Sequence, residues 1–234
     1  MVGCERKSVS GMSRYWNGQI LGPDNRGNRG GIWIPDETIR NAQFLFVGAT
    51  SGVDGSGNLA LPTMLEGDVC YIIYGSDNVE EPADAVSGWT KTQSGASAGT
   101  FRKTMGATPD TSWAAGTTNC QAAAAAFRGI TNAAYGSSGA TGIFSNPNPP
   151  QIATAWAGNA TNLVVICGRL DDDIVTFTAP ADYTLAATDN YGTSGNGASV
   201  CIAYRLNVTS DTENPGSFLS TGVDNWFAST EQAI

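Results

Sequence analysis

Histidine is missing from this chain altogether. Its absence removes the imidazole on which Ser-His-Asp and Cys-His nucleophile systems depend, and with it the commonest protein ligand for transition metals. Charge is scarce as well: Asp, Glu, Lys and Arg make up 14% of 234 residues, against about 25% in ordinary globular domains. No apolar run approaches the ~18–20 residues of a membrane-spanning helix. The opening MVGCERKSVSGMSRYW lacks the apolar stretch of a secretory signal, so none is expected. The five cysteines, at 4, 70, 120, 167 and 201, form no C-x-x-C pair. Cys70, Cys167 and Cys201 lie inside apolar runs (DVCYIIY, LVVICG, SVCIAY), where cysteine acts as a small buried hydrophobe. That usage fits a protein made in a reducing cytoplasm, and the sequons at Asn159 and Asn207 then carry no glycan.

What fills the gap is glycine (29 residues) with Ser, Thr, Asn and Ala, while 41% of the chain is hydrophobic. Short apolar runs between small polar turns are the composition of an all-β sandwich, and the length suits one large β domain. A net charge of −9 repels phosphate backbones, so no nucleic-acid partner is expected. Residues 1–40 hold six of the twelve basic residues and four acidic ones, leaving +2 there and −11 on the remainder. This segment (NGQILGPDNRGNRGGIW at its centre) has little to bury and reads as an extended N-terminal docking arm, with residues 41–234 as the sandwich domain.

Two half-repeats, about 61–130 and 155–234, share an order of motifs. GDVCYIIYGSD matches TNLVVICGRLDD, and an aromatic-Thr pair follows in each (Trp89-Thr90, Tyr183-Thr184). AGTFRKT then matches ASVCIAYRL, TPDTSW matches TENPGSF, and NCQAAAAAFRGI matches VDNWFASTEQAI. This last pair resolves a conflict. Five consecutive alanines favour a helix, which Asn119 would cap and Gly129 would close. The counterpart contains Trp226, Phe227, Ser229 and Thr230, which favour a strand, so the alanine tract is expected to be a strand with room above it for Trp89 or Phe101 of a facing sheet. The halves together predict a two-sheet antiparallel sandwich, jelly-roll-like or Ig-like.

Little in the sequence suggests catalysis. Paired carboxylates for glycoside hydrolysis are inevitable among twenty-one acidic residues and indicate nothing by themselves. LDDDI (170–174) offers oxygen ligands for Ca²⁺ at Asp171–Asp173 but lacks the spaced loop pattern and reads as a solvated turn. GNRGG and GTSGNG are followed by no strand–loop–helix phosphate cradle. No enzyme activity, cofactor or metal is expected. Trp89, Tyr183, Phe101 and Tyr204 sit at repeated strand positions and are assigned to the core. Trp156 and Tyr191, in polar loops, are candidates for stacking on a host glycan. Arg14, Tyr15, Trp16, Arg26, Arg29 and Trp33 in the arm are candidates for burial against another protein.

The order GDVCYIIYGSD, P…GWT, a strand with arginine, AAAAAFRG, a second apolar strand, P-x-x-YT and AYR resembles a family of tailed-bacteriophage virion proteins, over about residues 61–234. GGIW is similar to short N-terminal segments of phage tail and fibre proteins. The resemblance implies a non-enzymatic, homo-oligomeric part of the virion, made in the host cytoplasm, that contacts other tail or capsid subunits and carries no catalytic residues. Tail exposure, capsid decoration and host-carbohydrate recognition are the alternatives it leaves.

Overall fold

Val69–Gly75 and Asn162–Leu170, two strongly apolar runs, are the central strands of two five-stranded antiparallel sheets. The computed structural model describes residues 14–16, 19–21, 44–53, 56–76, 86–95, 97–115, 120–133, 136–153, 161–171, 175–190, 197–210 and 212–234. The chain divides into two compact units, residues 1–43 and 44–234. In the first, β1 (Arg14–Trp16) and β2 (Gln19–Leu21) form an antiparallel hairpin with Arg14 opposite Leu21.

The second unit is all β among its described residues. Its first half runs β3 (Leu45–Ser51), β4 (Asn58–Ala60), β5 (Val69–Gly75), β6 (Thr90–Gly95), β7 (Ala98–Thr104), β8 (Ser112–Ala114) and β9 (Gln121–Arg128). The second half runs β10 (Gly136–Ser145), β11 (Ile152–Ala153), β12 (Asn162–Leu170), β13 (Phe177–Thr178), β14 (Thr184–Asn190), β15 (Ser199–Val208), β16 (Thr212–Glu213), β17 (Leu219–Ser220) and β18 (Asp224–Ala233). The sheet orders are β3-β9-β5-β7-β6 and β10-β18-β12-β15-β14. These are one topology written twice. Each half therefore builds a complete sheet, and each includes a leading strand, β3 or β10, that the matched sequence motifs leave out.

Register confirms the equivalence. Tyr71 lies opposite Ala125 on one side and Arg102 on the other, as Val165 lies opposite Glu231 and Tyr204. Between the sheets β3 approaches β14 and β10 approaches β6, β9 approaches β14 and β18 approaches β6, and β5 meets β12. Exchanging the halves maps these contacts onto one another, as an approximate two-fold axis between β5 and β12 requires, while β15 approaches β9 and β5 more closely than β7 approaches β18 and β12, so the symmetry is incomplete.

Three apolar layers result. Val69, Tyr71, Ile73, Ala123, Ala125 and Phe127 of one half meet Leu163, Val165, Cys167, Ile202 and Phe227 of the other in a shared central core. The opposite face of the first sheet is covered by its own hairpin β4–β8, with Trp113 against Phe101 (ring centroids 5.2 Å apart) and Tyr74. The opposite face of the second sheet is covered by its own short pairs β13–β17 and β11–β16 and by Phe177 and Phe218. Each sheet is thus apolar on both faces, not one. This is why β5 and β12 read as continuous apolar runs, a pattern usual for parallel sheets buried on both sides.

The alanine tract is strand β9, buried along its length except at Arg128. Ala122, Ala124 and Ala126 face the outer core that holds Trp89, Phe101 and Trp113, while Ala123 and Ala125 face the shared core. The aromatics that need the room belong to the same half, Phe101 on a strand of the same sheet and Trp113 on the covering hairpin, not to a facing sheet.

Both covering layers are fastened by equivalent polar clamps. Trp89 Nε1 donates to Asp110 (3.0 Å), which also receives Lys103 Nζ (2.6 Å). Tyr183 Oη donates to Glu213 (2.9 Å), which also receives Arg205 (2.9 Å). The assignment of Trp89, Phe101 and Tyr183 to the core holds; Tyr204 is half-buried and stacks on Phe46 at 4.8 Å. Near the two-fold axis Gly75 meets its own counterpart, Arg169: a Cβ on Gly75 would lie 2.6 Å from Arg169 Cγ and 2.9 Å from Val200 Cγ1. The buried Arg169 guanidinium donates to the Ser76 carbonyl and to Asp171 (2.6 Å).

Candidate functional site

Ionisable side chains cluster at several points, and most of them act as joints. Asp68, fully buried at the start of β5, accepts two bonds from Arg128 (2.7 and 2.8 Å) and one from the Leu65 amide. The Arg128 bond holds its carboxyl below the usual range despite burial. Asp189 of the second sheet accepts from the Ala122 amide of the first (3.1 Å), and burial raises its carboxyl. Glu231 reaches across the shared core to Thr92 (2.7 Å) and Thr100 (3.1 Å), and burial pushes it up to about 7. The four described cysteines are buried and unbridged, with thiols raised by burial (Cys120 to about 12), the opposite of an activated nucleophile.

The surface differs at one corner of the second sheet. Trp226 of β18 lies directly under Gly142 of β10, where a Cβ would sit 2.5 Å from the indole ring. Its Nε1 donates to Ser145 Oγ (2.8 Å). With the indole in that place the pairing of β10 with β18 jumps from Gly142–Trp226 to Ser145–Asp224, and Ile143 and Phe144 are squeezed out as a bulge. Phe144 has φ +51°, a left-handed conformation that an aromatic residue adopts only under constraint. Asn146, just beyond the bulge, accepts from the Ser220 amide (3.2 Å) and hydroxyl (2.7 Å), which brings β17 alongside. Ile143, Phe144, Leu219 and Val223 therefore share this corner at 63, 75, 61 and 56% exposure. They are four of the seven large apolar side chains exposed among the described residues.

A cleft of about 280 Å³ opens beside the bulge, lined by Ser97, Thr141, Ile143, Arg169, Asp171 and Asn225. The Asn225 carbonyl holds it together, accepting from the Asp171 amide (2.8 Å) and from Arg169 (3.4 Å). Residues 129–168, which include all of β10, contain no Asp, Glu, Lys or Arg, and the charges at this corner are Arg169, Asp171 and Asp224. An acidic protein thus has an uncharged strand ending in an apolar rim with a polar cleft beside it. That arrangement suits contact with another molecule.

Most of the residues expected from sequence lie outside the described residues. Arg14, Tyr15 and Trp16 lie on β1 in the first unit. Arg26, Arg29 and Trp33, and the glycan candidates Trp156 and Tyr191, lie outside the described residues. Asp171 serves as a partner of Arg169, while Asp172 and Asp173 lie outside the described residues. Among the described residues no group of Cys, Asp and Glu converges as metal ligands, and no helix is long and apolar enough to cross a membrane. The corner was missed because it depends on contact between Gly142 and Trp226, far apart in sequence; the uncharged span was its visible signal. Comparison with known proteins finds no matching family model, no matching curated protein and no matching solved structure.

Proposed function

We propose that this chain is a non-enzymatic structural protein of a tailed-phage virion, exposed on the tail or its appendages, anchored through residues 1–40 and meeting a neighbouring subunit through the corner around Phe144. The exposed apolar rim carries the reading: Ile143, Phe144, Leu219 and Val223 are held in water on a strained bulge, an arrangement that a solitary soluble protein gains nothing from. The resemblance of residues 61–234 to phage virion proteins supplies the setting. The buried acids support a scaffold: Asp189 and Glu231 each join one half to the other, and Asp68 ties β9 to the start of β5. Capsid decoration would use the same chemistry at a different address. Host-glycan recognition is the second reading, favoured by the cleft, where Ser97, Asp171 and Asn225 offer polar groups beside the apolar wall of Ile143.

Gold-labelled antibody on intact particles tests the address, with label on the tail expected; particles free of label would sink the virion reading. Phe144→Gly tests the face. Glycine adopts positive φ freely, which offsets the freedom it adds to the unfolded chain, so stability should change by no more than about 1 kcal/mol while incorporation into particles falls. Deleting residues 1–35 should leave a folded body that no longer incorporates. Glycan binding lost on Asn225→Ala would promote the second reading.

A further inference from the structure

Among the described residues, strand β10 is the outermost strand of the second sheet, pairing with β18 on one side only. We propose that its other side pairs with β10 of a second copy, antiparallel about a two-fold axis at Gly139, so that the second sheet continues across the dimer. The inference rests on the reading of this corner as a contact surface and names its occupant.

Exposed sheet edges normally carry charge, proline or short length to prevent such pairing. Edge strand β6 carries Lys91 and edge strand β14 carries Asp189. Edge strand β3 is uncharged but has seven residues, and its first, Leu45, lies opposite Arg128. Strand β10, GSSGATGIFS, has ten residues with neither charge nor proline. Two copies of a −9 protein repel wherever acidic surfaces meet, and this uncharged span is where they approach at least electrostatic cost.

The sequence of the strand is also complementary to itself. With the axis at Gly139, Gly136 falls opposite Gly142, Ser137 opposite Thr141 and Ser138 opposite Ala140. Small faces small throughout, so neither backbone is held away. Ile143 and Phe144 then lie just beyond each end of the paired segment. A protein class with its own exposed strand is the competing occupant, and the test separates it.

Ser137 and Thr141 are exposed and fall opposite each other across the proposed axis. The parent chain should sediment at twice 24.2 kDa at high concentration and dissociate on dilution, with a dissociation constant on the order of micromolar for so small an interface. The doubly basic variant Ser137→Lys/Thr141→Lys and the doubly acidic Ser137→Glu/Thr141→Glu should each be monomeric, and an equimolar mixture should regain the dimer. A parent chain that stays monomeric at about 100 μM, or charged variants that dimerise as the parent does, would overturn the proposal. If the variants fail to fold, hydrogen exchange on the parent decides: β10 amides must slow as concentration rises, and concentration-independent exchange rejects the pairing. A monomeric parent whose Phe144→Gly variant still fails to enter particles would reject the second copy and keep the contact surface.

Discussion

At the scale of single residues, Glu231 is the most consequential side chain for stability. Its carboxylate lies between the sheets with Oε1 bonded to Thr92 and Thr100, while Oε2 and the nearby Tyr71 hydroxyl have no hydrogen-bond partner. Arg102 is the cation whose field favours ionisation, and Cys167 is close enough for its own thiol to be raised by the carboxylate. In the folded state the acid titrates near 7 against 4.5 when free. Below 4.5 both states hold the proton. Between those values the unfolded chain releases it and the folded chain keeps it, so stability falls as pH rises through this window. Above 7 the penalty is complete, on the order of 3 kcal/mol. Glu231→Gln removes the ionisation, keeps an acceptor for the two threonines and puts a donor in place of Oε2. Its melting temperature should exceed the parent's by roughly 5–10 °C at pH 8 and converge with it near pH 4.5. An equal shift at both pH values would mean that ionisation is not the cause.

At the scale of elements, β9 shows what a strand of alanines is for. Its side chains face Phe101 and Trp113 on one side and the shared core on the other, so each methyl fills space that a larger residue would overfill. Ala124→Leu should destabilise by about 1–3 kcal/mol in denaturant unfolding; a neutral result would mean that the outer core has slack. The strand was legible in sequence because its counterpart carries Trp226, Phe227 and Thr230, which resist a helix. The alignment of that pair was legible only in part. Set end to end, NCQAAAAAFRGI and VDNWFASTEQAI place Ala125 with Ser229, whereas sheet register places it with Glu231. A slip of two residues keeps every side chain on its own face, so the strand assignment survives it. End to end, Glu231 falls against Phe127, and in the true register against Ala125; both positions are fully enclosed. The β10 bulge left no local sign, since its cause is an indole on another strand.

At the scale of the whole unit, residues 44–234 share one core through β5 and β12, so neither half is closed without the other. The sequence repeat announced this duplication, since strand and turn motifs are local and survive in order. It could not show that each half keeps its own sheet instead of exchanging strands, because pairing between distant strands leaves no periodicity. Gly75 and Arg169 occupy the same position in the two halves, yet one is the smallest residue and the other among the largest. Two copies of the first half facing each other would leave a void where Arg169 now lies. Two copies of the second would set guanidinium against guanidinium. The Gly75–Arg169 pair thus favours union of unlike halves over union of like ones. Separately produced halves should therefore combine one to one when mixed, and Gly75→Ala, whose methyl meets Arg169 at 2.6 Å, should weaken that union without making like halves pair.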